Sequence, residues 1–197
     1  MKSPFRVAVI NDEITQDFGR ACEVASQEFG MVWIELRGMW NKNLLKLDAK
    51  EIQEARRLLE KNALRVTDIA STLFKVDWSG APKSKYSPQR DQFNAHFTFQ
   101  QQDQVRERSI ELAKAFHTDR LRIFDFWRLD DQERYREAIN GTLLEAADNA
   151  GKKRVILVLE NELACNTATG AEAGKVLSAV KCPHLMLNLG SRKRSYS

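Results

Sequence analysis

Polar residues able to hold or move a proton gather at five places along the chain, each at the end of an apolar run. They are Asn11-Asp12-Glu13, Glu35 with Arg37, Ser71 with Lys75, Asp125 with Arg128, and Glu160-Asn161-Glu162. The last set is the most informative. Val155-Ile156-Leu157-Val158-Leu159 precedes it without a polar break, as in a strand buried on both faces of a parallel sheet. A carboxylate at the tip of such a strand carries a desolvation cost, so Glu160 needs a charged partner. A divalent metal is one such partner and a structural Arg or Lys is another, and the spacing leaves both open. Ligands of parallel α/β folds bind where strands end at their carboxyl side, so the five sets mark one rim of a sheet.

The elements that must position this rim follow in strict alternation. Residues 5–10 read as a first strand, and Thr15 as the cap of a helix carrying Phe18, Ala21, Cys22, Ala25 and Phe29 and closed by Gly30. Residues 31–37 give a second strand. Asp48 caps a helix with Ile52, Ala55, Leu58 and Leu59 on its apolar face, and residues 64–70 form a third strand ending at Ser71. Residues 72–99 break the rhythm. Pro82, Pro88, Gly80 and the aromatics Phe74, Trp78, Tyr86, Phe93 and Phe97 make this a long loop, which in a compact domain is usually a lid or a binding loop. A helix over residues 101–116, a strand over 121–127, a helix over 135–150 closed by Gly151, the strand before Glu160, a helix over 171–180 and a strand beginning at His184 complete the pattern. Alternating strand and helix predicts a parallel sheet with right-handed crossovers, either doubly wound or of the (β/α)8 barrel type. A barrel needs eight units and roughly 250 residues, and this chain of 197 residues supplies six strands.

Composition narrows the function. With 43% hydrophobic and 29% charged residues the chain is an ordinary globular domain. Arg192, Lys193 and Arg194 carry three of its net +4 charges, leaving a near-neutral body with no footprint for nucleic acid. Cys22, Cys165 and Cys182 form neither zinc spacing nor a disulfide framework, and no apolar run is long enough for a signal or a membrane span, so a cytoplasmic protein is expected. Gly170-Ala-Glu-Ala-Gly174-Lys175 is one residue short of a phosphate loop and has Val176 where a metal-binding hydroxyl belongs. His96, His117 and His184 share no ligand spacing.

Taken in order, Asn-Asp-Glu-Ile-Thr-Gln-Asp at residues 11–17, Trp-Ile-Glu-Leu-Arg-Gly at 33–38, Leu-Phe-Lys-Val-Asp-Trp at 73–78, Phe-Asp-Phe-Trp-Arg at 124–128, and Leu-Glu-Asn-Glu at 159–162 with Ala-Cys-Asn-Thr at 164–167 resemble a bacterial sugar phosphate isomerase/epimerase. This is the xylose isomerase-like barrel family, related to the endonuclease IV barrel, and the resemblance spans residues 5–188. It implies a divalent metal (Mn, Mg or Zn) at the carboxyl end of the barrel that polarises a sugar carbonyl, while a carboxylate moves a proton at the adjacent carbon. By this resemblance Glu160 is the strand-five metal ligand and one of two proton-transfer groups. Glu13, Glu35, Arg37, Ser71, Lys75, Asp125, Arg128, Asn161 and Glu162 are the expected substrate contacts. The implied partner is a small sugar or sugar phosphate, with no nucleic acid or membrane and with a homo-oligomer allowed. A non-catalytic sugar-binding fragment and an endonuclease IV-like phosphodiester hydrolase are the competing readings, the second disfavoured by the few histidines.

The chain leaves the family pattern after Asn188. The family places an Asp there in a Trp-Asp-Pro-Gly-Asn segment, whereas residues 189–197 form a polar, basic tail. Codons chosen for this tail, read one base further on, spell Trp-Asp-Pro-Gly-Asn-Ala-Ala-Thr, as a frameshift would produce. A short protein with an unrelated tail is the other reading. Residues 1–188 are therefore expected to form a partial barrel with two open edges and an incomplete metal site, poorly stable by itself.

Overall fold

The structure, a computed structural model, describes residues 6–85 and 91–190. The tail from residue 191 on, with the frameshift reading attached to it, lies outside the described residues, as do Phe5, Tyr86 and Pro88. Six strands form one parallel sheet in sequence order: β1 (Ala8–Ile10), β2 (Trp33–Leu36), β3 (Arg65–Leu73), β4 (Arg120–Ile123), β5 (Ile156–Glu160) and β6 (Leu185–Asn188). Among the described residues β1 and β6 each pair on one side only. Helices α1 (Asn11–Ile14), α2 (Phe18–Glu23), α3 (Ala49–Lys61), α4 (Gln102–Ala115), α5 (Gln132–Lys152) and α6 (Gly170–Val180) fill the crossovers. This is an incomplete (β/α) barrel with six strands in place.

One face of the sheet packs on the helices. Ile34, Leu36, Ile69, Leu121, Ile123, Leu157 and Leu159 are buried there with Ala55, Ile110, Leu112, Leu143, Ala146 and Val176. Asp48 caps α3, as the sequence predicts, and the structure adds a reciprocal hydrogen bond from the Asp48 amide to Glu51. The first long helix departs from expectation. Asp17, not Thr15, accepts the first-turn amide of Arg20, and α2 widens over Val24–Glu28 into a wider turn that leaves Phe29 exposed. The third strand runs on past Ser71 to Leu73, because the Ser71 hydroxyl donates to the Arg122 carbonyl at 2.6 Å and so keeps β3 beside β4. The fourth strand is shorter than its apolar run, since Phe126 takes a positive φ of 70° and the chain turns out of the sheet.

Gly151 lies inside α5 rather than closing it. A β-carbon there would fall 2.1 Å from Cδ2 of His184, whose ring packs on the helix at the amino-terminal end of β6. Gly151→Ala is therefore expected to destabilise the fold by ~1–2 kcal/mol, overpacking outweighing alanine's better helix propensity. Urea unfolding checks this. The double variant with His184→Ala should recover most of the loss, and a single variant as stable as the parent would refute the packing.

Candidate functional site

The carboxyl ends of the strands come together as one mouth, and its charges are arranged around a residue that the sequence reading passed over. Arg122 sits in the middle of β4, yet its side chain faces the interior of the sheet rather than the helices. Its Nη1 lies 3.3 Å from Glu35 Oε1 of β2, and its Nε lies 3.1 Å from Glu160 Oε2 at the end of β5. Asp68 of β3 is close enough to raise the proton affinity of Glu35. Three carboxylates thus share one buried guanidinium.

Burial decides their proton affinities. Desolvation lifts Glu35 to about 7, reinforced by Asp68 and opposed by Arg122. Burial likewise raises Asp68, against its hydrogen bond from Thr67 and the pull of Arg122. Glu160 is raised by burial and by Glu162, with Arg122 and Lys75 opposing. Arg122 Nε and Glu160 Oε2 are close but lack the alignment of a hydrogen bond, so each keeps unused bonding capacity.

A second ion pair flanks the first. Lys75, just past β3, lies 2.8 Å from Glu162, and its ammonium also lies over the rings of Phe93, Phe124 and Trp127 at 4.2, 4.5 and 5.5 Å. Arg37 pairs with Asp12 at 2.9 Å and approaches Glu13 at 3.6 Å, with its guanidinium 4.7 Å from the Phe93 ring. Phe93 is brought over the mouth by the long loop. Trp78, Phe99, Phe74 and Phe126 stack into a cluster that fastens the loop to the barrel. Asn43 of the hairpin Gly38–Met39/Lys42–Asn43 donates to the Phe93 carbonyl at 2.9 Å. The hairpin is held in turn by buried Asn11, which donates to the Gly38 carbonyl and accepts from the Arg37 amide. A side chain at Gly38 would lie 2.9 Å from the Lys42 carbonyl oxygen, so the turn needs glycine.

Of the residues expected at the mouth, the structure brings Glu13, Glu35, Arg37, Lys75, Glu160 and Glu162 together. The others serve the framework. Ser71 is buried and occupied by Arg122 and Leu73 backbone groups. Asp125 is fully buried and accepts from the Thr167 amide, the Thr167 hydroxyl and Arg136. Arg128 bridges to Glu172 of α6 at 3.2 Å. Asn161 accepts from the Gly190 amide at 2.7 Å and ties β5 to the chain after β6. Arg122 and Asp68 are the participants the sequence reading missed, whereas Phe93 is named there only as one aromatic of the long loop. For Arg122 and Asp68 the signal was present, a charged residue inside an otherwise apolar strand.

Among the described residues no group of three or more His, Cys, Asp or Glu side chains is placed to hold a metal ion. Glu160 and Glu162 are the two carboxylates at the tip of β5, and Arg122 and Lys75 already compensate them. The described donor set does not fit a resident divalent metal by itself.

No protein-family description and no curated protein matches the sequence. Solved structures do match in fold. A probable 3-DHS dehydratase from Bacillus anthracis superposes with a TM-score of 0.68 at 18% identity, over 92% of this chain and 62% of its own. D-psicose 3-epimerase from Clostridium cellulolyticum H10, solved with D-tagatose, gives 0.68 at 13% identity over 94% and 63%. An AP endonuclease, family 2, from Brucella melitensis gives 0.64 at 16% identity over 93% and 67%. Other matched barrels were solved with magnesium or with zinc. The chain thus spans a little over three fifths of the length of the first structures it matches. Its fold is that of the xylose isomerase-like TIM barrels, with six strands of the barrel present.

Proposed function

We propose that this chain carries the carbohydrate face of an isomerase or epimerase that moves a proton at the carbon next to a sugar carbonyl, with Glu160 as the proton carrier. The observation that bears most on this reading is the placement of Glu160. It stands at the carboxyl end of β5, open to the mouth, with its proton affinity raised by burial and its charge steadied by Arg122. A carboxylate of raised pKa is a stronger base than a free one and still returns its proton readily. Glu35, raised to about 7 on the same guanidinium, is suited to hold the second proton near neutral pH. The resemblance implies a divalent metal as well. The described residues do not complete a site for one, so the proton step rests on the carboxylates. D-tagatose bound to the epimerase of the same fold supports a ketose-sized substrate.

Strand-cleaving chemistry on nucleic acid finds little support, because two of the three histidines, His117 and His184, precede strands and so lie at the opposite, amino-terminal end, leaving only the exposed His96 of the long loop. The reading is tested by incubating the protein with D-tagatose or D-fructose in deuterated water and following exchange at the carbon beside the carbonyl. Exchange is expected, and Glu160→Gln should slow it about 100-fold, the lower end for losing a general base. Exchange untouched by that substitution would refute the role of Glu160. No exchange with either sugar would favour a sugar-binding chain without catalysis.

A further inference from the structure

The proposed function leaves open whether the sugar carries a phosphate. We infer that the mouth is built for an uncharged polyhydroxy sugar and rejects its phosphate ester. This rests on the sugar-binding reading above and on how the charges are layered. Two of the three cations, Lys75 and Arg122, lie at the bottom, and Arg37, 16% exposed, is flanked by Glu13, 52% exposed, although its closer partner Asp12 is only 10% exposed. The side chains of Lys75 and Arg122 are 3% and 4% exposed, while those of Glu162 and Glu160 are 31% and 24% exposed. A ligand entering from solvent therefore meets carboxylate oxygens first, which accept hydrogen bonds from hydroxyls and repel a phosphate dianion.

The cations are also engaged. Arg37 holds Asp12, Lys75 holds Glu162, and Arg122 holds both Glu35 and Glu160. Phosphate would have to displace a carboxylate from its cation, because the unbonded donor of Arg122, Nε, is already faced by Glu160 Oε2 at 3.1 Å, and breaking an ion pair whose cation is buried leaves a charge uncompensated. Phe93 adds an apolar cover. Its ring lies 4.7 Å from the guanidinium of Arg37, 4.2 Å from the ammonium of Lys75 and 5.7 Å from the guanidinium of Arg122. An aromatic face suits the C–H face of a sugar ring and offers nothing to a phosphate. Arg128, the remaining cation predicted at this rim, is turned to Glu172 of α6.

The test is binding, measured by saturation-transfer NMR and competition on the full chain, with D-fructose and D-tagatose against their 6-phosphates. The free sugars are expected to bind at least tenfold more tightly. Phe93→Ala, in a loop outside the sheet, uncovers Lys75 and Arg37 and should narrow that ratio several-fold. Phosphates that bind as well as or better than the free sugars overturn the inference while leaving the proton-transfer reading standing. Failure of all four to bind removes both.

Discussion

Arg122→Met is expected to destabilise the protein by about 3–5 kcal/mol at pH 8 and by much less at pH 5. The size follows from leaving Glu35, Asp68 and Glu160 without the single cation they share, the usual penalty for removing one partner of a buried ion pair. The pH dependence follows from the proton affinities. Glu35 titrates near 7 in the fold and near 4.5 when unfolded, so the unfolded chain releases its proton first. Stability from this group is full below about pH 4.5 and declines as pH rises through 7. Without Arg122 the carboxylates are pushed higher still, and the decline steepens. At pH 5 the fold keeps Glu35 protonated in both proteins, and the variant loses little through that group. Urea unfolding at the two pH values measures the difference. Glu35→Gln in the parent should flatten the decline between pH 5 and 8. Equal losses for Arg122→Met at both pH values would show that Arg122 acts through packing alone.

That site shows what a single sequence reveals and what it hides. The six strands and the rim they form are legible because hydrophobic runs and caps are local signals, as with Asp48 on α3, whereas their sequential order in the sheet separates a barrel from a doubly wound sheet and follows only from the family resemblance. Glu160 is legible for the same reason, a carboxylate at the end of an unbroken apolar run. Its partner is not. Arg122 stands 38 residues earlier in a strand that reads as buried, and only the pairing of β4 with β5 places Arg122 opposite Val158, two residues before Glu160. Ser71 and Asp125 look like mouth residues because they end apolar runs. Whether such a residue faces the mouth or locks the framework depends on its orientation, and that is fixed by contacts with Arg122 and Thr167 distant in sequence. Phe93 was one of several aromatics in the long loop. Its place over three cations depends on Asn43 and Lys46 holding the backbone of residues 93 and 94.

Asp125→Ala carries the other large expected loss, about 3–4 kcal/mol, and it is local before it is global. Asp125 is fully buried, and burial raises its proton affinity even though three donors oppose it. Those donors are the Thr167 amide at 2.8 Å, the Thr167 hydroxyl at 2.5 Å and Arg136 at 2.9 Å. Removing the carboxylate leaves two buried donors of Thr167 and one guanidinium without their acceptor, each a desolvation penalty of roughly 1–3 kcal/mol before relaxation. Arg136 recovers part of this because it is partly exposed and also reaches Gln132. Asp125→Asn should fall between, since its carbonyl can still accept from the Thr167 amide while its amide meets Arg136 as a second donor. The same contacts pin the segment after β5, which carries Glu162 to Lys75 and packs Cys165 on Phe124 and Trp127. Hydrogen exchange over residues 161–169 is therefore expected to speed up in Asp125→Ala before the sheet itself opens. A variant within 1 kcal/mol of the parent, with exchange in that segment unchanged, would mean that the loop is held by its apolar contacts and that Asp125 is dispensable to the mouth.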